Sequence, residues 1–490
     1  PAPPPFLPTR KWRCEHYTAK PVIQSTGNIL PPRALYFLRL SAMKHIVYAL
    51  VMLAAASPAA TALTVPADSL PEKQLSLKNS NAEEIRHSQL SDSQKIIYFG
   101  NSDMAPSDSA DSLLERFYYD QYRHFQDPLA PYFLLMSKDA KLAMGVGGCV
   151  RMRGWYDFDG AMPTNGFVPH MIPVPADPSQ RRKLGGTPDG TSIYIRVIGR
   201  NRVLGDVVGY IQGNFQNDGH GFKLKKAYVE IRDWTIGYAS SSFQDPAAET
   251  PTIDGAGQNG KTGTTSMLVR WSHRFKKSPW SMAASVEMPS SQCDADGIKT
   301  KKIADWFPDI VAWGQYNISD DSHVRLSGML RVLPYRDLVA GQNRSRVGWG
   351  VQLSGVWYPA NRLTIYAEAN TGQGYQSAMN DLAVGNFDLV ADTTPGRLYA
   401  PYAMGLNLGM KYNFAPNLYS CVALGEARYF PRYEVDGSDY KYGLYGAVNL
   451  FYEPTPRLQV GVEYLIGSRH NFNGEHGHAN RVDALFQFSF

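Results

Sequence analysis

A two-residue alternation of apolar and polar side chains constrains this chain more than any other feature. The final segment, RVDALFQFSF, carries on one side Val482, Ala484, Phe486, Phe488 and Phe490. The other side carries Arg481, Asp483, Leu485, Gln487 and Ser489. Strict period two predicts a β-strand whose two faces meet different surroundings.

The same alternation recurs along the chain from residue 141 onward. We count sixteen such segments, centred near 150, 195, 211, 227, 237, 270, 284, 313, 328, 351, 367, 407, 424, 446, 463 and 484. Short turns of Pro, Asp, Asn and Gly alternate with mostly long connections at 159–189, 244–263, 290–307, 334–343, 372–399, 431–438 and 468–478. One connection in the long series, NDGHG, is brief. Because short and long connections alternate, the long loops lie at one end of the strands. An even number of strands places both termini at the other end.

Composition narrows the class of protein. The 490 residues are 12% aromatic and 19% charged, with a mean hydropathy of −0.31 and a formal net charge of +5. A single long apolar run is too little for a helical membrane protein, and the charge is too small to indicate nucleic acid. Four widely spaced cysteines without a CxxC pattern indicate neither a disulfide framework nor a zinc site.

We therefore predict an all-β fold, a closed 16-stranded antiparallel transmembrane β-barrel over residues 141–490. In hydrocarbon every backbone N–H and C=O must pair inside the protein, so a sheet has to close without edges. The last strand would then bond to the first, with Phe490 in the interfacial aromatic girdle. A soluble β-propeller or sandwich also alternates, but the export signal described next, the loop asymmetry and the terminal Phe favour the barrel.

The N-terminal part divides into three predicted segments. Residues 1–42 are Pro-rich and patternless, and we interpret them as an upstream extension outside the mature protein. Residues 43–62, MKHIVYALVMLAAASPAATA, have the layout of a secretory signal peptide. A buried helix or anchor is the alternative. Residues 63–140 are expected to form a periplasmic linker with a short amphipathic helix at 109–126.

One stretch carries a family likeness. FKLKKAYVEIRDWTIGYASSSFQDPAAETPTIDGAGQNG, residues 222–260, resembles the motif of the DcaP-like outer-membrane porins. There a basic strand ending in AYVE turns tightly into a second strand, which leads through Phe-x-Asp and P-T-I-D into a Gly-rich loop. LAMGVGGCVRMRGWYDF resembles the family's opening strand. Within this likeness, the sequence around 115–160 resembles the Bacteroidetes branch.

The resemblance implies a homotrimeric channel of the bacterial outer membrane that passes small anionic solutes. In trimeric porins the third loop folds inward and narrows the channel. Residues 244–263 would supply this constriction, with the acidic side chains Asp245, Glu249 and Asp254. An ordinary extracellular loop is the alternative for this segment.

Barrel alternation assigns side chains to lipid or lumen. The predicted lumenal basic residues are Arg151, Arg153, Arg196, Arg200, Lys223, Lys225, Arg270, Arg274, Arg325, Arg331 and Arg346. The lysine assignments require a bulge in the fourth strand, because the parity changes after them. Later strands supply an opposite acidic wall of Glu368, Glu426 and Glu463. Such a lumen favours anions. Alternatively, the arginines are held in ion pairs with that wall or lie among lipid head groups.

Two motifs are set aside. GAGQNG spells G-x-G-x-x-G, but no βαβ unit surrounds it. HNFNGEHGH groups three histidines in the last external loop, where a solvated loop is expected rather than a metal site. We expect no catalytic site, cofactor or metal.

The sequence thus predicts a porin for passive diffusion of small hydrophilic, anionic solutes. Its expected partners are outer-membrane lipids, the solutes, further copies of the chain, and the barrel-assembly machinery through the Phe490 strand. The alternative is a barrel that presents surface loops for adhesion or anchoring.

Overall fold

The computed structural model describes residues 95–99, 113, 131, 133–216, 221–319 and 321–490. The predicted upstream extension and signal peptide lie outside the described residues, as does almost all of the predicted helix at 109–126.

Sixteen strands of the described chain form one wall. They are β1 Leu142–Asp159, β2 Ser192–Asn201, β3 Gly205–Gln216, β4 Gly221–Ile231, β5 Trp234–Ser240, β6 Thr265–Arg274, β7 Trp280–Glu287 and β8 Asp309–Asn317. The second half comprises β9 His323–Asp337, β10 Gln342–Ala360, β11 Leu363–Gln373, β12 Tyr402–Ala415, β13 Leu418–Phe430, β14 Tyr440–Thr455, β15 Leu458–Asn471 and β16 His476–Ser489.

The wall closes on itself, as the alternation predicted. Each strand pairs antiparallel with the next, and β16 pairs with β1 from Asn480 opposite Asp159 to Ser489 opposite Cys149. Beyond β16, the Phe490 backbone exchanges two hydrogen bonds with Gly148, of 3.0 and 3.1 Å. The prediction of a closed 16-stranded antiparallel barrel is therefore confirmed.

The two faces of each strand differ as expected for a barrel in lipid. On β16, Phe486 and Phe488 point outward and are exposed, whereas Arg481 and Asp483 point inward and are buried. An outward apolar band around a polar interior is the pattern of a transmembrane barrel, because the band meets hydrocarbon and the interior does not.

Among the described residues outside these sixteen strands are short strands and 3₁₀ helices. They are the short strands Lys95–Phe99, Phe133–Ser137, Lys183–Thr187, Thr300–Lys302, Val390–Ala391 and Leu398–Tyr399, and the 3₁₀ helices Pro169–Met171, Pro178–Gln180, Pro246–Ala248, Gln376–Ala378 and Leu382–Val384. Within the part of the chain that the structure describes, no helix has the length and apolar character needed to cross a membrane.

The sheet begins before residue 141, inside the segment predicted as linker. Phe133–Ser137 pairs antiparallel with the start of β1, and Lys95–Phe99 pairs parallel with Phe133–Ser137. Burial of apolar side chains holds this extension on the barrel, because Leu134 and Met136 are fully buried in a cluster with the inward-facing Ile198. This small extension lies at the rim that carries the short turns.

In β4 the sequence predicted a switch in which alternate side chains face inward, and the structure has a β-bulge at this point. Gln212 on β3 pairs with Lys226, whereas the next residue, Gly213, pairs with Leu224. Lys225 is therefore the extra residue. Lys223 lies opposite the inward-facing Asn214, and Leu224 is exposed on the outer face.

The long connections are fewer than the sequence indicated. The external loops of greatest length are loop 1 (160–191), loop 3 (241–264), loop 4 (288–308) and loop 6 (374–401). The segments 334–343 and 468–478, expected as long loops, are instead mostly strand joined by turns of four residues, 338–341 and 472–475. Strands β9, β10, β15 and β16 simply continue farther than their apolar alternation does.

Candidate functional site: a lumen narrowed by inward loops

Loop 3 folds into the barrel and lies along the inner wall, which confirms the inward third loop. The side-chain amide of Gln258 donates to the carbonyl oxygens of Leu408 (3.1 Å) and Leu424 (2.7 Å). The amide of Asn259 donates to the carbonyl of Gly443 (2.9 Å). The loop is thus bonded to three neighbouring strands of the wall, β12, β13 and β14.

Two carboxylates predicted for the acidic wall hold this loop in place. Glu463 accepts the backbone N–H groups of Ile253 (2.9 Å) and Asp254 (2.7 Å). Glu368 accepts the N–H of Thr262 (2.7 Å). Both glutamates are buried. Their carboxyl oxygens therefore serve as acceptors within the protein rather than facing a passing solute.

The predicted constriction residue Asp254 lies in a buried charge cluster. Its Oδ1 lies 2.7 Å from Arg153 Nη1, and the same nitrogen lies 3.1 Å from Asp483 Oδ2. None of the three side chains is more than 5% exposed. Buried charges persist only when paired, so this cluster fixes the end of the loop against β1 and β16.

The other predicted constriction acids are also paired. Asp245 Oδ2 accepts hydrogen bonds from Ser354 (2.6 Å) and lies 2.9 Å from His323 Nε2, and its Oδ1 lies 3.4 Å from Arg325. Burial alone would raise the pKa of Asp245, but Arg325 and His323 outweigh it and hold the pKa below its ordinary value. Glu249 pairs with Lys261 at 3.4 Å, within the loop itself.

Loop 6 also enters the barrel, which the sequence did not indicate. Gly260 N–H donates to Asn380 O (3.3 Å), and Asn380 N–H donates to Lys261 O (2.8 Å). An isolated β-bridge joins Thr262 to Met379. The two loops therefore form one inward layer. It packs through an apolar cluster of Phe243, Tyr375, Met379 and Leu382 with inward-facing wall residues such as Ala403 and Tyr429.

Loop 1 completes the layer. Phe167 and Ile172 are buried in a cluster with inward side chains of β13–β16, namely Ala423, Tyr445, Ala447, Leu465 and Ala479. The backbone N–H of Phe167 donates to Asp254 (3.0 Å), which connects loop 1 to loop 3. Three loops thus cover the inner surface of the last strands.

A polar junction joins loop 1 to loop 6. His170 N–H donates to Asp381 Oδ1 (2.8 Å), the Tyr440 hydroxyl donates to Oδ2, and the His170 ring stacks on Tyr440 at 4.3 Å. Burial raises the pKa of Asp381 to about 6, although these donors oppose the rise. Burial, with Arg469 nearby, lowers the pKa of His170 to about 3, so the imidazole stays neutral.

The sequence signal for this inward layer is glycine at inward positions. A Cβ on Gly409 would lie 1.7 Å from Thr250 Oγ1, and one on Gly405 would lie 2.0 Å from the Gly260 carbonyl. A Cβ on Gly425 would lie 2.6 Å from Asn259. Only glycine lets the loop backbone approach the wall this closely.

The predicted basic residues fall into two groups. The more exposed group lies on β4 and β6: Lys223 and Arg274 are exposed, and Lys225 and Arg270 are half-buried, with Arg270 donating to the Ser240 carbonyl (3.2 Å). Lys226, which the sequence reasoning missed, is also half-buried and lies opposite the inward Gln212. The bulge in β4 was the signal that would have found it.

The remaining basic residues serve the protein's own structure. Arg153 holds Asp254, Arg331 pairs with Asp309 (3.1 Å) and Asp388 (3.4 Å), and Arg200 pairs with Asp206 (3.0 Å). Carbonyl oxygens of loops 3 and 6 accept from Arg151 and Arg346, both at 2.8 Å. Arg196 is 3% exposed, and Arg325 is half-buried beside Asp245.

Glu426 requires a correction, because it lies on the outer face. It pairs across the sheet with Leu406 and Leu444, both exposed to the outside. Its neighbours Gly425 and Ala427 point inward instead. The inward face of β13 carries Tyr419, Cys421, Ala423, Ala427 and Tyr429, which are buried, and Gly425, which lies against Asn259 of loop 3. Side-chain polarity therefore did not identify which residues of β13 face the lumen.

Comparison with known proteins identifies the family. Residues 136–490 match the DcaP outer membrane protein family. The chain belongs to this family. Its barrel is accordingly an outer-membrane barrel, and the likeness seen in the sequence is confirmed. The assignment to the Bacteroidetes branch stays a prediction.

Two solved structures are similar to this chain to different degrees. The outer-membrane channel DcaP of Acinetobacter baumannii is 19% identical, with a TM-score of 0.62 over 72% of this chain and 98% of that chain. An anion-selective porin from Comamonas acidovorans is 9% identical, with a TM-score of 0.49 over 71% of this chain and 100% of that chain. No curated protein sequence matches the chain.

Proposed function

We propose that this DcaP-family barrel is a porin through which small hydrophilic anions diffuse passively. The path follows the basic side chains of β4 and β6, Lys223, Lys225, Lys226, Arg270 and Arg274. The opposite side is the inward layer of loops 1, 3 and 6, which sets the size limit.

One observation carries the proposal: the charged side chains that β4 and β6 turn inward keep solvent exposure and, apart from Glu230, are basic. The carboxylates of Glu368, Glu463 and Asp254 are buried as acceptors of loop N–H groups or in ion pairs. Basic side chains such as Lys223 and Arg270 keep solvent exposure. A solute therefore meets mostly positive potential, which lowers the entry barrier for carboxylates and phosphates.

Ion selectivity tests this proposal directly. The purified protein is reconstituted in a planar bilayer, and the reversal potential is measured across a KCl gradient. We expect discrete conductance steps with chloride preference. In Lys223→Gln/Arg270→Gln, the chloride-to-potassium permeability ratio should fall about two- to fivefold, as expected for removing charges within roughly a Debye length of the path.

The matched control is Lys276→Gln/Lys277→Gln, which removes the same charge from an exposed turn between β6 and β7. Its permeability ratio should stay that of the unchanged protein. Cation preference would refute the anion path but leave a porin. Absence of conductance steps would refute transport and favour the surface-loop alternative.

The expected assembly is a homotrimer, as the family resemblance implies. Native mass spectrometry of the detergent-solubilised protein measures it, and a monomer as the sole species would refute it.

A further inference from the structure

A basic and aromatic patch lies on the outer face of the barrel, where lipid rather than solute is the neighbour. It consists of Arg428, Lys441, Tyr442, His470, His476 and His478, at the long-loop ends of β13–β16. We call it the outer-rim patch. Gly443 and Gly477 face loops 6 and 1 inside the barrel, so Tyr442, His476 and His478 beside them face outward. Arg428 and His470 pair with Tyr442 across the sheet and share its face. Lys441 is the extra residue at a register shift between Tyr440 and Tyr442 and is exposed.

The patch is one continuous stack across four strands. The Arg428 guanidinium carbon lies 4.7 Å from the Tyr442 ring centroid, and Tyr442 stacks on His470 at 4.4 Å with 9° between the planes. His470 stacks on His476 at 5.4 Å, and His476 meets His478 edge-on at 5.1 Å. This stacking holds the ring nitrogens at fixed places along the rim.

The patch is mostly basic. The groups that act most strongly on His470 are Arg428, Lys441, His476 and His478. The carboxylates nearby are Glu426, 2.9 Å from Arg428 Nε, Glu475, which precedes His476, and Asp439, two residues before Lys441. Like charges held together by the fold repel one another, so an anion bound here would relieve repulsion as well as gain direct contacts.

Directly beneath the patch begins the apolar band. Leu444 and Ile466 are 40% and 52% exposed on the outer face, one step along the strands from Tyr442 and Ser468. Aromatic side chains with a polar edge are typical of this boundary between hydrocarbon and head groups. An occupant therefore needs an anionic head at the level of the histidines and an acyl chain below it.

We propose that the outer-rim patch binds the phosphate head group of an anionic lipid in the outer leaflet. Arg428 and Lys441 supply the permanent charge, the imidazole edges of His470, His476 and His478 supply hydrogen bonds, and Leu444 and Ile466 seat the acyl chains. A metal ion fits less well, because no three His, Cys, Asp or Glu side chains of the described residues are arranged to hold one.

The test compares lipids on the full-length protein in detergent. Native mass spectrometry counts bound lipid as dioleoyl phosphatidic acid or dioleoyl phosphatidylcholine is titrated at pH 7.5. We expect preferential retention of phosphatidic acid. In Arg428→Gln/Lys441→Gln its apparent affinity should fall about tenfold, as expected for losing charge-assisted contacts, with phosphatidylcholine binding unchanged.

The matched control is again Lys276→Gln/Lys277→Gln, which should leave phosphatidic acid binding unchanged. If Arg428 proves necessary for folding, His476→Gln/His478→Gln tests the same patch on exposed side chains. Ten-millimolar inorganic phosphate, roughly a saturating level for a simple anion site, should not displace the lipid, because the acyl contacts remain.

Equal retention of both lipids, or unchanged retention in both patch variants, would overturn the proposal. Displacement by inorganic phosphate would make the patch a plain anion site. A patch variant that changes the oligomeric state and not lipid retention would show a contact between protomers instead.

Discussion

At the scale of single residues, glycines and buried acids determine the narrowing of the lumen. Gly405 admits the backbone of loop 3 to the wall and Gly409 admits its Thr250 side chain, while Glu368 and Glu463 bind its N–H groups. These residues are spread over β11, β12 and β15. Each has an ordinary local sequence, and their shared role emerges only when loop 3 lies against all of them.

Gly409→Ala tests the close approach. The new methyl would meet Thr250, where the Cβ would lie 1.7 Å from Oγ1, so the loop must shift. Overpacking of this kind costs about 1–3 kcal/mol, and we expect greater open-channel noise in single-channel recordings. Gly314→Ala is the matched control, because its Cβ would meet nothing within 4 Å. Equal behaviour of the two variants would contradict the proposed role.

Asp381 provides a pH test at the junction of loops 1 and 6. Burial raises its pKa from the ordinary 3.8 to about 6, so the protonated carboxyl is the form that the folded junction favours. Its stabilising contribution is complete below pH about 4 and is lost as the pH rises through about 6. We expect the His170 amide to exchange hydrogen faster at pH 7 than at pH 5, after correction for intrinsic rates. Asp381→Asn should remove this difference, and an unchanged pH response there would refute the assignment.

At the scale of elements, three loops form one layer inside the barrel. Loop 3 is bonded to loop 6 through Thr262 and Met379, and to loop 1 through Asp254 and Phe167. Since the layer is anchored to both the wall and itself, we expect it to remain in place during transport. The conducting path then lies beside the layer and needs no opening of the loops.

A disulfide between loops 3 and 6 tests this expectation. Thr262 and Met379 face each other across a β-bridge, where opposed Cα atoms lie about 4.5–5.5 Å apart, a span that a disulfide accepts. Oxidised Thr262→Cys/Met379→Cys should conduct as the reduced form does. Met379→Cys alone is the control for the substitution. Loss of conductance on oxidation, restored by reductant, would show that the loops must separate.

At the scale of the whole molecule, closure of the barrel depends on its last residues. Phe490 adds two backbone hydrogen bonds to Gly148 after the β16 ladder ends. A closed sheet leaves no unpaired edge in the hydrocarbon. A barrel in the outer membrane, where the DcaP family is located, must close in this way to leave no backbone group unpaired in the hydrocarbon.

Removal of Phe490 tests closure, with Phe490→Ala as the matched variant that keeps the backbone bonds. The truncated chain loses two hydrogen bonds, about 1–3 kcal/mol in total, and should unfold at a lower temperature in a heat-modifiability assay. Phe490→Ala should retain most of the stability. If both variants lose the same amount, the aromatic ring rather than the backbone secures the seam.

The sequence by itself determined the number of strands, their order and the lipid-facing side of most of them. These follow from period two, a local property that each strand carries alone, and the β4 bulge was readable because the parity changes within one strand. Only the tertiary structure decided the lining of the lumen. Loops 1 and 6 enter the barrel because Phe167, Met379 and similar side chains pack on distant strands. That packing makes the inner face of β13 apolar and leaves Glu426 outside, so side-chain polarity no longer distinguishes lumen from lipid.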